Sequence, residues 1–145
     1  MIVIQNSINA ELANEAEFCN ILQNVLADLG KSGSELLIRF VDQAEIKQLN
    51  KTYRHQDKTT NVLSFPGDLP IEIDEPILGD VVICIDVVRV EARQQNKTFE
   101  NHLIHMAIHG ALHLLGYDHI NENEAREMEG LEIKILEKIK LPNPY

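Results

Sequence analysis

Residues 99–115 constrain the fold most, because apolar side chains surround nearly the whole circumference of a segment with helical spacing. One side of the predicted helix carries Leu103, Met106, Ala107 and Leu114, and much of the rest carries Ile104, Ile108, Ala111, Leu112 and Leu115. A helix that is apolar nearly all round is usually buried at the centre of its domain. We therefore expect the remaining elements to pack around this helix.

The other sequence patterns predict strands in the first half of the chain and helices towards its end. Strands are expected at residues 1–5, 36–41, 61–65 and 80–85, and helices at residues 10–29, 42–51, 86–95 and 122–140. Residues 68–76 are acidic and contain prolines, which is typical of a solvated loop. This order predicts a single α+β domain over residues 1–145, in which a small mixed β-sheet packs against several helices around a central, buried metal-binding helix.

The net charge, the lengths of the apolar runs and the cysteine content indicate which classes of protein this chain can belong to. The formal net charge of −10 argues against a protein that holds nucleic acid by bulk electrostatics, so a polyanionic substrate would have to meet a local basic patch. There is no apolar run of ~20 residues and no basic segment at the N-terminus, so a cytoplasmic protein is expected. Cys19 and Cys84 lie among apolar residues and are expected to be small buried hydrophobes, neither disulfide-bonded nor catalytic.

Three histidines on and just after the apolar helix predict a metal site. His109 and His113 are four residues apart and share one helical face. Gly116 can adopt a positive φ that ends the helix and turns the chain, so that His119 can approach the same point. Three neutral imidazoles with a fourth position left open to water are typical of a catalytic zinc site, and we expect one zinc ion per chain.

Neighbouring residues raise alternatives to this interpretation. Metzincin proteases share the histidine spacing but carry a glutamate as general base directly after the first histidine, where this chain has Gly110, so a peptidase is disfavoured. His105, one turn before His109, is expected to be structural or to touch a ligand from outside, since a fourth ligand would close the open position; His102 has no assigned role. Asp118 is either a partner that orients a histidine or an ordinary turn residue.

A basic segment, LNKTYRHQDKTTNVLSFP at residues 49–66, stands out in the acidic chain. Together with HGALHLLGYDH and LGDVVIC, it resembles the YbeY family of bacterial metal-dependent endoribonucleases, with the three blocks in the family's order. The resemblance implies zinc ligands at His109, His113 and His119, and a functional arginine at Arg54. This chain has Thr59-Thr60 where the family usually has Pro-Thr, which affects one turn and none of the ligands.

The resemblance also implies the biological setting. It implies a single-strand-specific endoribonuclease that acts in 16S rRNA 3′-end maturation and in ribosome quality control. The expected partners are ribosomal RNA, the small ribosomal subunit, and a ribosomal protein or an assembly GTPase. Arg54 would neutralise charge on the phosphate, and the nucleophile would be either a zinc-activated water or the 2′-OH of the RNA. The alternatives are a ribosome-assembly factor with structural zinc and a hydrolase for another phosphoester or a small amide.

Overall fold

The computed structural model describes residues 1–67 and 77–145, and within them strands and helices follow the predicted order. The elements are β1 (Ile2–Gln5), α1 (Glu15–Asp28), β2 (Glu35–Val41), α2 (Gln43–Arg54), β3 (Val62–Pro66), β4 (Ile77–Cys84), α3 (Ile85–Gln94), α4 (Phe99–Leu114) and α5 (Glu122–Lys138). The acidic stretch expected as a solvated loop at residues 68–76 lies outside the described residues. No helix in the described ranges is long and apolar enough to span a membrane.

The strands form one mixed sheet in the order β1-β2-β4-β3. Strand β1 is parallel to β2, and β2 is parallel to β4, with Ile38 opposite Val81. Strand β3 runs antiparallel to β4 at the edge of the sheet, with Leu63 opposite Val82. The structure therefore confirms the α+β fold with a small mixed sheet.

Both faces of β4 are covered, as its continuous apolar sequence predicts. Val81 and Ile83 belong to the larger core, on the face of the sheet where α1, α3 and α4 pack. Val82 and Cys84 point to the other face and join a smaller cluster with Ile46 of α2. Strand β4 thus lies at the centre of the fold, with the histidine-bearing helix on one side.

Helix α4 is buried between the sheet and the other helices, which confirms the central position expected from its sequence. It packs on β3 and β4 and also contacts α1, α3 and α5. Its approach to the sheet is close at Gly110, where a Cβ atom would lie 2.6 Å from a side-chain carbon of Val81. The Ser64 hydroxyl donates a 2.9 Å hydrogen bond to the Gly110 carbonyl. Gly110 therefore fixes how α4 lies on the sheet.

Several boundaries and one burial assignment differ from the sequence-based expectations. Helix α1 begins at Glu15 and not near residue 10, because the Asn14 side chain accepts the Glu17 N–H and so caps the helix there. Helix α2 continues beyond residue 51 as far as Arg54. Both cysteines are free thiols, but only Cys84 is buried as expected; Cys19 is half-buried, so the prediction that it is a buried hydrophobe was wrong.

Candidate metal centre

The first two histidines of the motif converge on one face of α4. The Nε2 atoms of His109 and His113 lie 3.1 Å apart, and the ring centroids are 4.6 Å apart. Zinc–nitrogen bonds of ~2.05 Å in a tetrahedron would separate two ligand nitrogens by about 3.3 Å. The two imidazoles therefore already have the spacing that a shared zinc ion requires.

A glycine turn brings the third histidine to the same place. Gly116 has φ +99°, and the N–H groups of Gly116 and Tyr117 donate to the carbonyls of His113 and Leu112, which ends the helix. The His119 ring centroid then lies 5.0 Å from that of His113 and 5.7 Å from that of His109. One ligand atom from each of the three side chains lies within 4.8 Å of the others. The structure thus brings together all three histidines that the sequence singled out.

The protonation and exposure of this cluster favour metal binding. Burial, and then the neighbouring His109 and His119, lower the pKa of His113, which favours the neutral imidazole that can act as a ligand. His109 and His113 are half-buried, whereas His119 is exposed. The cluster is therefore open on the side of His119, as a catalytic site needs to be.

A buried carboxylate that the sequence analysis did not identify contacts the centre from α5. Glu132 is 0% exposed, and its Oε1 lies 3.1 Å from Nδ1 of His109. Its Oε2 is hydrogen-bonded to Nε2 of His105 and accepts a 2.9 Å bond from the Tyr145 hydroxyl. Burial raises the pKa of Glu132, but the hydrogen bonds from His105 and His109 outweigh it and lower the pKa to about 2. The carboxylate is therefore ionised inside the protein.

These contacts define a second group of possible ligands. Among the described residues, His105, His109 and Glu132 also bring ligand atoms within 4.8 Å of one another and could hold a metal ion. His105 and Glu132 are buried, whereas the group of His109, His113 and His119 lines a cleft. The group of His105, His109 and Glu132 thus suits a closed structural ion, whereas the group of His109, His113 and His119 suits an ion that meets a substrate.

The open cleft above the histidines has a volume of about 690 Å³. It is lined by Tyr53, Arg54, Thr60, Asn61, Val62, Leu63, Ser64, Phe65, His109, His113, Asp118 and His119. Arg54 is the last residue of α2, is exposed, and forms no ion pair with any described residue. The predicted arginine therefore lies on the same cleft as the predicted ligands, with its guanidinium available to a bound anion.

The loop that follows Arg54 is held by a buried side chain. Asn50 is buried, and its Nδ2 donates a 2.9 Å hydrogen bond to the carbonyl of Lys58. His55 has φ +57° and ends α2 in the left-handed conformation. Of the four basic residues noted in the sequence, which are Lys47, Lys51, Arg54 and Lys58, Arg54 is the one among the residues that line the cleft.

Two further residues considered from the sequence have clear contacts. Oδ1 of Asp118 accepts the backbone N–H of His119 at 2.8 Å but lies 3.9 Å from Nδ1 of His113, too far for a hydrogen bond. Asp118 therefore shapes the turn that carries His119. His102 is buried, and its Nε2 is paired with Glu91 at 3.0 Å, outside the cluster.

Comparison with known proteins assigns the family. A family model described as Endoribonuclease YbeY matches residues 3–140. The chain belongs to this YbeY family. It is 63% identical over 145 residues to the Endoribonuclease YbeY of Ruthia magnifica subsp. Calyptogena magnifica, with all of both chains covered. It is 50% identical to that of Pseudomonas entomophila (strain L48), covering 98% of this chain and 90% of the relative.

The fold also has a solved counterpart. The solution structure of TM1509 from Thermotoga maritima is similar, with a TM-score of 0.60 and 27% sequence identity. The similarity covers 97% of this chain and 92% of TM1509. Sequence and fold comparisons therefore agree over almost the whole chain with the resemblance noted from its motifs.

Proposed function

We propose that this protein is a zinc-dependent, single-strand-specific endoribonuclease that binds one zinc ion per chain through His109, His113 and His119. The observation that carries the proposal is the convergence of these three imidazoles on a cleft that also contains Arg54. The relatives that match along their whole length are named endoribonucleases, which supports RNA as the substrate.

The residues present fit a zinc ion. Imidazole nitrogens are common zinc ligands, and three of them leave the open position that distinguishes catalytic from structural zinc sites. The chemistry that zinc supplies at such a site is Lewis-acid activation of water, whose pKa falls to ~7. His109, His113 and His119 would hold the ion. Gly110 has no side chain and so supplies no general base, and a Cβ atom at this position would lie only 2.6 Å from Cγ1 of Val81.

Arg54 is the residue we propose to contact the scissile phosphate. A guanidinium carries planar, paired donors that match phosphate oxygens, and its charge stabilises the extra negative charge that develops during cleavage. The exposed guanidinium lines the cleft that contains the three histidines. A lysine would supply charge without the paired donors, so it would replace this residue only in part.

Two aromatic rings beside Arg54 suit an unpaired base. Tyr53 is 63% exposed, and its ring packs edge-on against Phe65 with centroids 5.1 Å apart. Exposed aromatic rings in single-strand-binding grooves stack with bases at ~1–3 kcal/mol per base. Bases in a duplex are already stacked and paired, so this arrangement favours single-stranded RNA. Replacing Tyr53 by alanine should weaken binding to a single-stranded oligonucleotide more than replacement by phenylalanine.

The family resemblance leads us to propose a role in 16S rRNA 3′-end maturation and ribosome quality control in the cytoplasm. A chain with net charge −10 should bind naked RNA weakly and with strong salt dependence. Binding to the small ribosomal subunit would be tighter than binding to naked RNA if a basic ribosomal protein or an assembly GTPase contacted an acidic surface of this protein. Two exposed glutamates of α5, Glu122 and Glu127, belong to one such surface.

The test is cleavage of a defined single-stranded ribosomal RNA fragment by zinc-loaded protein. The parent should cleave it, His113→Ala should not, and Arg54→Ala should be slower by about 10²–10³-fold, with Arg54→Lys intermediate. Arg126→Ala is the matched control, because this exposed arginine pairs only with Glu122 among the described residues. A 2′,3′-cyclic phosphate end would assign the nucleophile to the 2′-OH. Equal cleavage by all variants would refute the proposal.

The second candidate is a ribosome-assembly factor in which zinc is structural. The buried group of His105, His109 and Glu132 favours it, because an ion bound there would be closed off from substrate. Zinc that stabilises the protein, without RNA cleavage by any preparation, would support this candidate.

A further inference from the structure

The two oxygens of Glu132 face three groups that can donate a hydrogen bond, and this arrangement determines which ring nitrogen of His109 carries the proton. Oε2 of Glu132 is already occupied by Nε2 of His105 and the Tyr145 hydroxyl, so Oε1 is the oxygen left to accept from the imidazole nitrogen that faces it, the arrangement usual for carboxylates beside metal-binding histidines. Nδ1 of His109 faces Oε1 of Glu132 at 3.1 Å. The proton of the neutral His109 ring therefore lies on Nδ1, and Nε2 keeps its lone pair.

That lone pair points towards the other ligands. Nε2 of His109 lies 3.1 Å from Nε2 of His113, on the side of the ring opposite Glu132. A neutral imidazole can place its proton on either nitrogen, and a proton on Nε2 would occupy the atom that binds metal. The contact with Glu132 thus selects the tautomer of His109 that can act as a ligand.

The carboxylate is itself held in position by two other side chains. His105 donates from Nε2 to Oε2 of Glu132, and the Tyr145 hydroxyl donates to the same oxygen at 2.9 Å. The Tyr145 ring also packs edge-on against His105, with centroids 5.8 Å apart. These contacts fix the free end of the Glu132 side chain, so that Oε1 is directed at His109.

We propose that Glu132 is a positioning residue for the metal centre, holding His109 in its metal-binding tautomer and orientation, and that Tyr145 and His105 hold Glu132. This inference rests on the proposed zinc site at His109, His113 and His119. Partners of this kind around metal-binding histidines change metal affinity by about 10–100-fold when they are removed. Glu132 would act through His109 and need not touch the substrate.

The chain offers a matched control on the same helix. His102 of α4 is buried like His105, and its Nε2 is paired with Oε1 of Glu91 at 3.0 Å. This pair contacts none of the three proposed ligands. Glu91 is 26% exposed and also accepts hydrogen bonds from Nδ2 of Asn61, which lines the cleft. Glu91→Gln therefore removes a charge from a histidine–glutamate pair that does not contact His109 directly.

The experiment measures zinc affinity of the metal-stripped, full-length protein by competition with a chromophoric chelator, and compares parent, Glu132→Gln, Tyr145→Phe and Glu91→Gln. We expect Glu132→Gln to bind zinc about 10–100-fold more weakly. Tyr145→Phe, which removes one hydrogen bond, should bind about fivefold more weakly. Glu91→Gln should retain the parent's affinity. The absorption spectrum of the cobalt-substituted protein should change in Glu132→Gln and not in Glu91→Gln, and thermal unfolding without metal reports folding separately.

The possible outcomes distinguish failure of the positioning role of Glu132 from failure of the proposed metal centre. Parent-like zinc affinity in folded Glu132→Gln would overturn the positioning role while leaving the proposed nuclease site intact. If Glu132→Gln does not fold, parent-like affinity in Tyr145→Phe would overturn it instead. Two zinc ions per parent chain, with one lost in Glu132→Gln, would make Glu132 a ligand and also overturn the inference. A parent that binds no zinc would refute the proposed metal centre itself.

Discussion

Replacing Gly110 by alanine tests whether close packing of α4 on the sheet holds the metal-binding helix in place. A Cβ atom at this position would lie 2.6 Å from Cγ1 of Val81 and 3.1 Å from Oγ of Ser64. Val81 is fully buried in β4, and a β-branched side chain has few alternative rotamers, so the backbones would have to move apart. Such overpacking costs about 1–3 kcal/mol, against a gain of about 1 kcal/mol from replacing glycine in a helix.

Gly130 of α5 provides the matched control. It lies within a helix, and a Cβ atom there would meet no heavy atom of the described residues within 4 Å. Gly130→Ala should therefore raise the free energy of unfolding by up to ~1 kcal/mol. Gly110→Ala should be less stable than Gly130→Ala by about 1–3 kcal/mol, which is the cost of the overpacking alone.

Urea unfolding of the two single variants measures this difference directly. In the double variant Gly110→Ala with Val81→Ala, the loss in free energy of unfolding should be smaller than the sum of the losses in the two single variants. The shortened side chain at position 81 makes room for the new methyl group. Zinc affinity should fall in Gly110→Ala, since His109 is the preceding residue. If Gly110→Ala were as stable as Gly130→Ala, the argument from close packing would be refuted.

Three other predictions concern the turn, the metal and the thiols. Gly116→Ala should destabilise the protein by about 1–2 kcal/mol in thermal unfolding and weaken zinc binding, because φ is +99° in the turn that carries His119; an unchanged affinity would contradict this. Free zinc at about 1,000 times its Kd should raise the free energy of unfolding by about 4 kcal/mol in calorimetry, and this gain should be absent from His113→Ala. Iodoacetamide should label Cys19 of the native protein faster than Cys84, which is buried, and equal rates by mass spectrometry would contradict the structure.

The parts of the fold that follow from local patterns could be predicted from the sequence. The all-round apolar pattern of α4 predicts its burial, because only a central position removes every side of a helix from water. The apolar run of β4 likewise predicts a strand covered on both faces. The edge position of β3 could not be predicted this way, because strand order depends on contacts between distant segments.

The start of α1 was placed too early for a local reason. Asn6 accepts the Ala10 N–H and donates to the Ala10 carbonyl, which gives this backbone an alternative to a helix. The periodic apolar residues continue across this region, whereas the cap at Asn14 determines where the helix begins. The first residue of α1 is therefore determined by side-chain capping, which the spacing of apolar residues does not show.

The sequence likewise predicted some residues of the candidate site and missed one of them. Spacing along one helix and a glycine turn are local features, so the convergence of His109, His113 and His119 could be expected from sequence. Glu132 could not, because its contact with His109 joins residues 23 apart and depends on how α5 packs on α4. A signal was present, since Glu132 lies midway between the buried Met128 and Leu136 at helical spacing. A carboxylate within an apolar stripe indicates a buried partner.

Metal titration of RNA cleavage shows whether zinc at the three histidines is needed for the reaction. Protein stripped by a chelator is given increasing zinc, and the initial rate of cleavage of a single-stranded RNA is measured at each addition. We expect no cleavage without metal and a rate that rises linearly until one zinc ion is bound per chain. Full cleavage by the stripped protein would contradict the claim that zinc at the three histidines performs the reaction.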